Sequence, residues 1–157
     1  KIIDYGRAIY KFNNKLICSD SYHPDGDASS QYNMKPYFND KKPPIEPNYS
    51  FDLCRLGCSL FDFFVDELDD IDDIKSPIIK IILNWCLDDN GKNIMYKKNG
   101  DERYPEFKLY KMIARTVHNH IPSDVINLPY FDQFIYGKKN INKNQKIINI
   151  DALPSYQ

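Results

Sequence analysis

The four cysteines of this 157-residue chain, Cys18, Cys54, Cys58 and Cys86, form no C-x-x-C pair, so neither a zinc ribbon nor a disulfide framework is written in their spacing. Reduced thiols in an intracellular protein are the expectation. A net field is lacking too. With 21 Lys+Arg against 22 Asp+Glu the formal charge is −1, and binding to nucleic acid or an anionic membrane would need a local basic cluster; neither partner is expected. No apolar run reaches the roughly 18–20 residues of a membrane span, because Lys80 and Asn84 interrupt the best candidate, 77–87. No charged-then-apolar leader follows Lys1, so the chain reads as soluble and as a piece of something longer. Arginine is scarce, 4 residues against 17 lysines, while Ile, Lys and Asn supply 52 positions, a bias that hints at AT-rich coding and carries no chemistry. The length suits one domain with a real core and is short for two.

Charge is unevenly spread. Residues 1–61 carry +1, 62–91 carry −7 and 92–157 carry +5. The acidic block, Asp62, Asp66, Glu67, Asp69, Asp70, Asp72 and Asp73, reads as a solvated helix end and loop. Residues 1–12 suit a short strand, a tight turn at Gly6 and a second extended piece. From Asn13 to Asn48 the chain is rich in Asn, Asp, Ser, Pro and Tyr without helical period, and a loop of that length is usually functional or disordered.

Leu53, Leu56, Leu60, Phe61, Phe64, Val65 and Leu68 then repeat at three and four residues, which predicts a helix over 51–68 with a broad buried stripe. Ser76-Pro77 supplies a cap and a first-turn proline for a second helix, apolar on nearly every face, that Asp88-Asp89-Asn90-Gly91 terminates. Pro105 suits the first turn of a third, with Phe107, Tyr110, Ile113, Ala114 and Val117 inward. Ser123 caps one more short turn, and the tail from Gly137 alternates Lys/Asn with Ile as an extended or fraying segment. The fold class is therefore mainly α with a short β element at the N-terminus.

Two strings carry chemistry. Lys1-Ile2-Ile3-Asp4-Tyr5-Gly6-Arg7-Ala8 is an apolar strand that delivers one carboxylate to a glycine turn, although Asp-x-Gly is also a common turn signature. Forty-six residues after Gly6 comes Asp52, within Pro47-Asn48-Tyr49-Ser50-Phe51-Asp52-Leu53-Cys54-Arg55-Leu56-Gly57. Together they resemble the protein-kinase family, in which a strand–Asp–Phe–Gly–x–Ala element holds magnesium and a central helix of the C-lobe begins with Asp and carries a Gly five residues on. The closer likeness is to kinase-like proteins of large DNA viruses. By motif the resemblance spans residues 1–68, and by helix order 69–135.

The resemblance implies an incomplete kinase C-lobe: 1–12 the magnesium-binding strand and turn, 13–48 the activation-segment-like loop, 49–135 the helical lobe, 136–157 a tail. It implies that Asp4 is the magnesium ligand and that Gly6 permits the turn aiming it toward ATP. Tyr5, in place of the usual Phe, would pack inward. Asp52 would orient the catalytic loop from behind, buried at the helix start on the Asp4–Gly6 side, and Gly57 would be structural. The parent would then transfer the γ-phosphoryl of ATP to a serine or threonine of a protein substrate, in the cell and in a host cell or virion if viral.

The departures are equally plain. Only five residues separate Glu46 from Asp52, so Pro44-Ile45-Glu46 is a poor counterpart of the Ala-Pro-Glu motif. No glycine-rich phosphate loop, strand lysine with helix glutamate, or His-Arg-Asp loop occurs in the chain, so no catalytic residue lies within it and it is expected to be inactive alone. A catalytically inactive, pseudokinase-like or helical interaction domain is the alternative. Cys54 and Cys58 read as core residues, His118 and His120 as helix-end histidines, and Asp25-Gly26-Asp27 and Asp88-Asp89-Asn90-Gly91 as turns. Ser19, Ser21, Tyr22, Ser29 and Ser30 are possible phosphorylation sites for which the sequence offers no evident basic cluster.

Overall fold

The structure, a computed structural model, describes residues 6–135; Asp4, Tyr5 and the tail lie outside them. It is mainly helical, with one two-stranded antiparallel sheet near the N-terminus. Strand β1 (Ile9–Phe12) pairs with β2 (Lys15–Cys18), Ile9 opposite Cys18 and Phe12 opposite Lys15. The connecting Asn13 and Asn14 both have positive φ, 48° and 59°, as a two-residue hairpin requires to match strand twist. The hairpin places β2 inside the segment that composition marks as loop, a correction with a clear cause: asparagine tolerates the left-handed region, so Asn-Asn can do the work of Asn-Gly.

Helix α1 (Ser50–Phe61) is the centre of the lobe, and α2 (Pro77–Trp85) and α3 (Lys108–Thr116) pack against it. A short α4 (Pro122–Val125) and a 3-10 turn (Pro129–Phe134) follow. The core is built from Cys54, Cys58 and Phe61 of α1, Val65 just beyond it, Leu83 and Cys86 at the end of α2, Ile94 of the next loop, and Ile113 and Val117 of α3.

Helix α1 ends seven residues earlier than the periodicity predicts. The Phe61 carbonyl accepts from both Phe64 N (2.9 Å) and Val65 N (3.1 Å), closing a turn. Val65 stays buried through that turn while Phe63 is 81% exposed. The acidic block follows with every one of its carboxylates exposed, as expected, around a 3-10 segment at Leu68–Asp73. Helix α3 starts three residues after Pro105, because Glu106 has φ 55° and interrupts the first turn. In α2, Ile82, Leu83 and Trp85 are buried, and Lys80 and Asn84 mark its exposed side.

Gly57 sets how closely α1 and α2 approach. A Cβ there would lie 3.0 Å from Cys86 Sγ, 3.0 Å from the Ile82 carbonyl and 3.2 Å from Trp85 Cβ. Gly57→Val is expected to lower stability by about 2–3 kcal/mol through overpacking, read as a shift in denaturant midpoint. Gly57→Ala should cost less, since one methyl intrudes and the gain in helix propensity is about 1 kcal/mol.

Candidate functional site

The turn at Gly6 and the head of α1 are joined through side chains of the intervening segment. The Gly6 carbonyl accepts a hydrogen bond from Ser19 Oγ, and the Arg7 carbonyl accepts one from Tyr22 Oη at 2.9 Å. Tyr22 packs on Tyr32 (ring centroids 5.3 Å apart), Tyr32 on Phe51 (6.3 Å), Phe51 on Tyr110 (6.3 Å) and Tyr110 on Phe107 (5.4 Å, nearly parallel). Cations flank this aromatic row. The Arg7 guanidinium lies 5.6 Å from the Phe107 centroid while paired with Asp27 at 2.7 Å, and Arg55 lies 4.3 Å from Tyr110. Burial, and secondarily neighbouring charge, pushes the Tyr22 and Tyr32 hydroxyls up, so both stay protonated; Tyr22 acts as a donor and Tyr32 as a packing surface.

Asp52 is exposed, against the expectation of a largely buried carboxylate. The reason is that its face of α1 has no cover among the described residues: Tyr49 (79% exposed), Asp52 and Leu56 follow at helical spacing along one open stripe. Its charge adds a small upward push to Tyr22 and Tyr32 after burial has raised them. Asp4 and Tyr5 lie outside the described residues, and Glu46 is exposed. Gly57 is in the α1–α2 contact described above.

The segment between hairpin and α1 is organised by one side chain. Asn33, buried, donates through Nδ2 to the carbonyls of Asn39 (3.0 Å), Lys42 (2.9 Å) and Pro43 (2.9 Å), and its Oδ1 accepts from Asn39 N (2.8 Å). Its backbone exchanges two hydrogen bonds with Ile45. Asn33→Ala takes the side-chain donor from the Lys42 and Pro43 carbonyls and the acceptor from Asn39 N, while the Asn39 carbonyl keeps Lys42 N; a loss of about 1 kcal/mol is expected, with faster amide exchange at Asn39 and Ile45. Asn33→Asp should be worse than Ala, because it aims a carboxylate at three carbonyl oxygens; a midpoint for Asp above that for Ala would contradict this account.

Cys54, Cys58 and Cys86 come together in the core, two from α1 and one from the end of α2. The close Cys58 sulfur, then burial, pushes Cys54 and Cys86 up, while the same contacts hold Cys58 down; the Cys86 S–H itself donates to the Ile82 carbonyl at 3.6 Å. None is more than 5% exposed, so reagents do not reach them and their place is in packing. Among the described residues no group of three or more His, Cys, Asp or Glu is arranged to hold a metal ion, and no helix is long and apolar enough to cross a membrane.

At the far end of the lobe Asp88 is buried under three donors: Asn90 N and Lys92 N reach Oδ1 at 3.0 Å each, and Arg103 Nη2 reaches Oδ2 at 3.0 Å. Burial alone would raise this carboxyl, but the two amides and the guanidinium outweigh it and hold it below the ordinary range. Arg103 also donates to the Asn93 carbonyl. Beside it His118 is clamped to Asp89 by its backbone N (2.8 Å) and by Nδ1 (2.6 Å), and His120 is buried with its backbone N donating to Ser50 Oγ (2.9 Å). Ser50 thus spends its hydroxyl on a residue seventy positions away. Neither the third thiol nor the tyrosine row leaves a periodic trace in the sequence, since both are made by residues from different elements. The Asp88 turn was legible in Asp-Asp-Asn-Gly, and its Arg103 partner was not. No family model matches the chain, and neither a curated protein nor a solved structure does.

Proposed function

We propose that the chain is the C-terminal part of a Ser/Thr-type protein kinase-like protein whose complete parent transfers the γ-phosphoryl of ATP to a protein hydroxyl. One observation carries the reading: the Gly6 turn and the Asp52 head of α1, the two places where the motif residues stand, are linked through Arg7, Tyr22, Tyr32 and Phe51 into one region. In this reading Asp4 brings magnesium to the nucleotide phosphates, the segment 13–48 is the substrate-side loop held in shape by Asn33, and Asp52 receives backbone donors from the catalytic loop of the parent. The chain itself contains no His-Arg-Asp string and no phosphate loop.

The exposed Tyr49 and Leu56 on the Asp52 face of α1 favour a second reading, an interaction lobe without catalysis. The test is radiolabelled phosphoryl transfer from γ-labelled ATP with magnesium to a generic Ser/Thr substrate, measured for the complete parent and for residues 1–157. Transfer by the parent and none by the shorter chain is the expected pair of results. A parent that binds no magnesium–ATP and transfers nothing would establish the interaction lobe.

A further inference from the structure

A cleft of about 300 Å³ opens between α2 and the segment that follows α3, at the small end of the range for small-molecule sites. Its apolar lining is Ile81 and Trp85 from α2 with Val125 and Leu128 opposite. Lys80 and Asp124 line the same cleft with opposite charges, and among the described residues neither takes part in an ion pair. His120, also in the lining, is 5% exposed and is held in place by its Nε2, which donates to the Leu87 carbonyl at 3.0 Å. Asn84 and Asn119 complete the polar rim without a side-chain hydrogen bond of their own among the described residues.

An apolar floor with one unpaired cation and one unpaired anion on its rim is complementary to a small zwitterion that has an apolar body. We propose that this cleft binds a free apolar α-amino acid, its carboxylate on Lys80 and Asn84, its ammonium on Asp124, and its side chain against Trp85 and Leu128. A purely anionic ligand would leave Asp124 facing it, and a purely cationic one Lys80; the zwitterion satisfies both. The inference stands apart from the phosphoryl-transfer reading and uses none of its residues.

Trp85 is the only tryptophan of the chain and is in the lining, so its fluorescence reports occupancy with a probe that does not absorb there. Titrating the full chain with L-leucine should give a saturable change in Trp85 emission. Leucinamide, which lacks the carboxylate, and 4-methylpentanoate, which lacks the ammonium, should each bind at least about tenfold more weakly, the scale of one charge-assisted contact. Asp124→Asn and Lys80→Gln should each weaken leucine by a similar factor with unchanged thermal melting. The two analogues test the proposal on the unaltered chain should either variant fold poorly. No saturable response to leucine, methionine or isoleucine up to tens of millimolar, or equal binding of leucine and both analogues, would overturn it.

Discussion

Asp88→Ala should destabilise the chain by about 3–5 kcal/mol, the cost of removing one member of a buried ion pair and leaving the other. The side chains of Asp88 and Arg103 are only 4% and 17% exposed. With the carboxylate gone, Arg103 keeps its bond to the Asn93 carbonyl but has no counter-ion, and the amides of Asn90 and Lys92 lose their shared acceptor. Those amides belong to the turn in which Gly91 adopts φ 70° and donates to the Asp88 carbonyl at 2.8 Å. The turn and the loop carrying the fully buried Ile94 should therefore loosen together. Asp88→Asn keeps an acceptor for the amides and loses only the charge, so it should fall between wild type and Ala.

The same carboxylate predicts a pH profile. Its pKa is lower folded than unfolded, so the unfolded state takes up its proton first as pH falls, and the stabilisation is fully present above the unfolded value of about 3.9. It declines below that, through the folded pKa. Urea midpoints measured from neutrality downward should show a component of the acid loss that disappears in Asp88→Asn. An identical acid limb in the variant would mean that Asp88 is not the group responsible.

What the sequence made legible was decided by how local each cause is. The cores of α1, α2 and α3 follow from apolar residues at three and four positions, a signal contained in one element. The extent of α1 was not legible, because Phe63, Phe64 and Val65 continue the same rhythm past Phe61. There the pattern records which residues a turn tucks inward, and Val65 is buried without being helical. The hairpin was half legible: Ile9, Tyr10 and Phe12 mark an extended piece, while its partner Lys15–Cys18 is disguised by the polar residues around it. The segment 13–48 defeats periodicity altogether, since its order comes from Asn33 reaching Asn39, Lys42 and Pro43, and a single asparagine has no rhythm. At the candidate site, residue types were readable and exposure was not. Asp52 sits at the head of α1 as expected, but whether it is covered depends on what packs over Tyr49 and Leu56 from outside the helix.

That dependence makes Asp52 and Asp4 the pair of residues on which the phosphoryl-transfer reading turns. In the chain of 157 residues Asp52→Ala removes an exposed carboxylate from the first turn of α1, and the loss should be the helix-dipole contribution of roughly 0.3–1 kcal/mol. In the complete parent the reading puts a catalytic loop over that face. The same substitution there strands buried backbone donors at about 1–3 kcal/mol and misplaces the loop, so melting temperature and turnover should fall together. Asp4→Ala in the parent should behave differently. It removes a magnesium ligand from a turn without touching the core, so phosphoryl transfer should drop by several orders of magnitude while circular dichroism and melting stay near wild type. Asp4→Asn, which keeps an oxygen but not the charge, should recover part of the activity at raised magnesium. Full turnover by a stably folded Asp4→Ala parent would reduce Asp4 to a turn residue. Equal stability losses for Asp52→Ala in chain and parent would mean that nothing covers α1 in either, and the open face carrying Tyr49 and Leu56 would then belong to an interaction lobe.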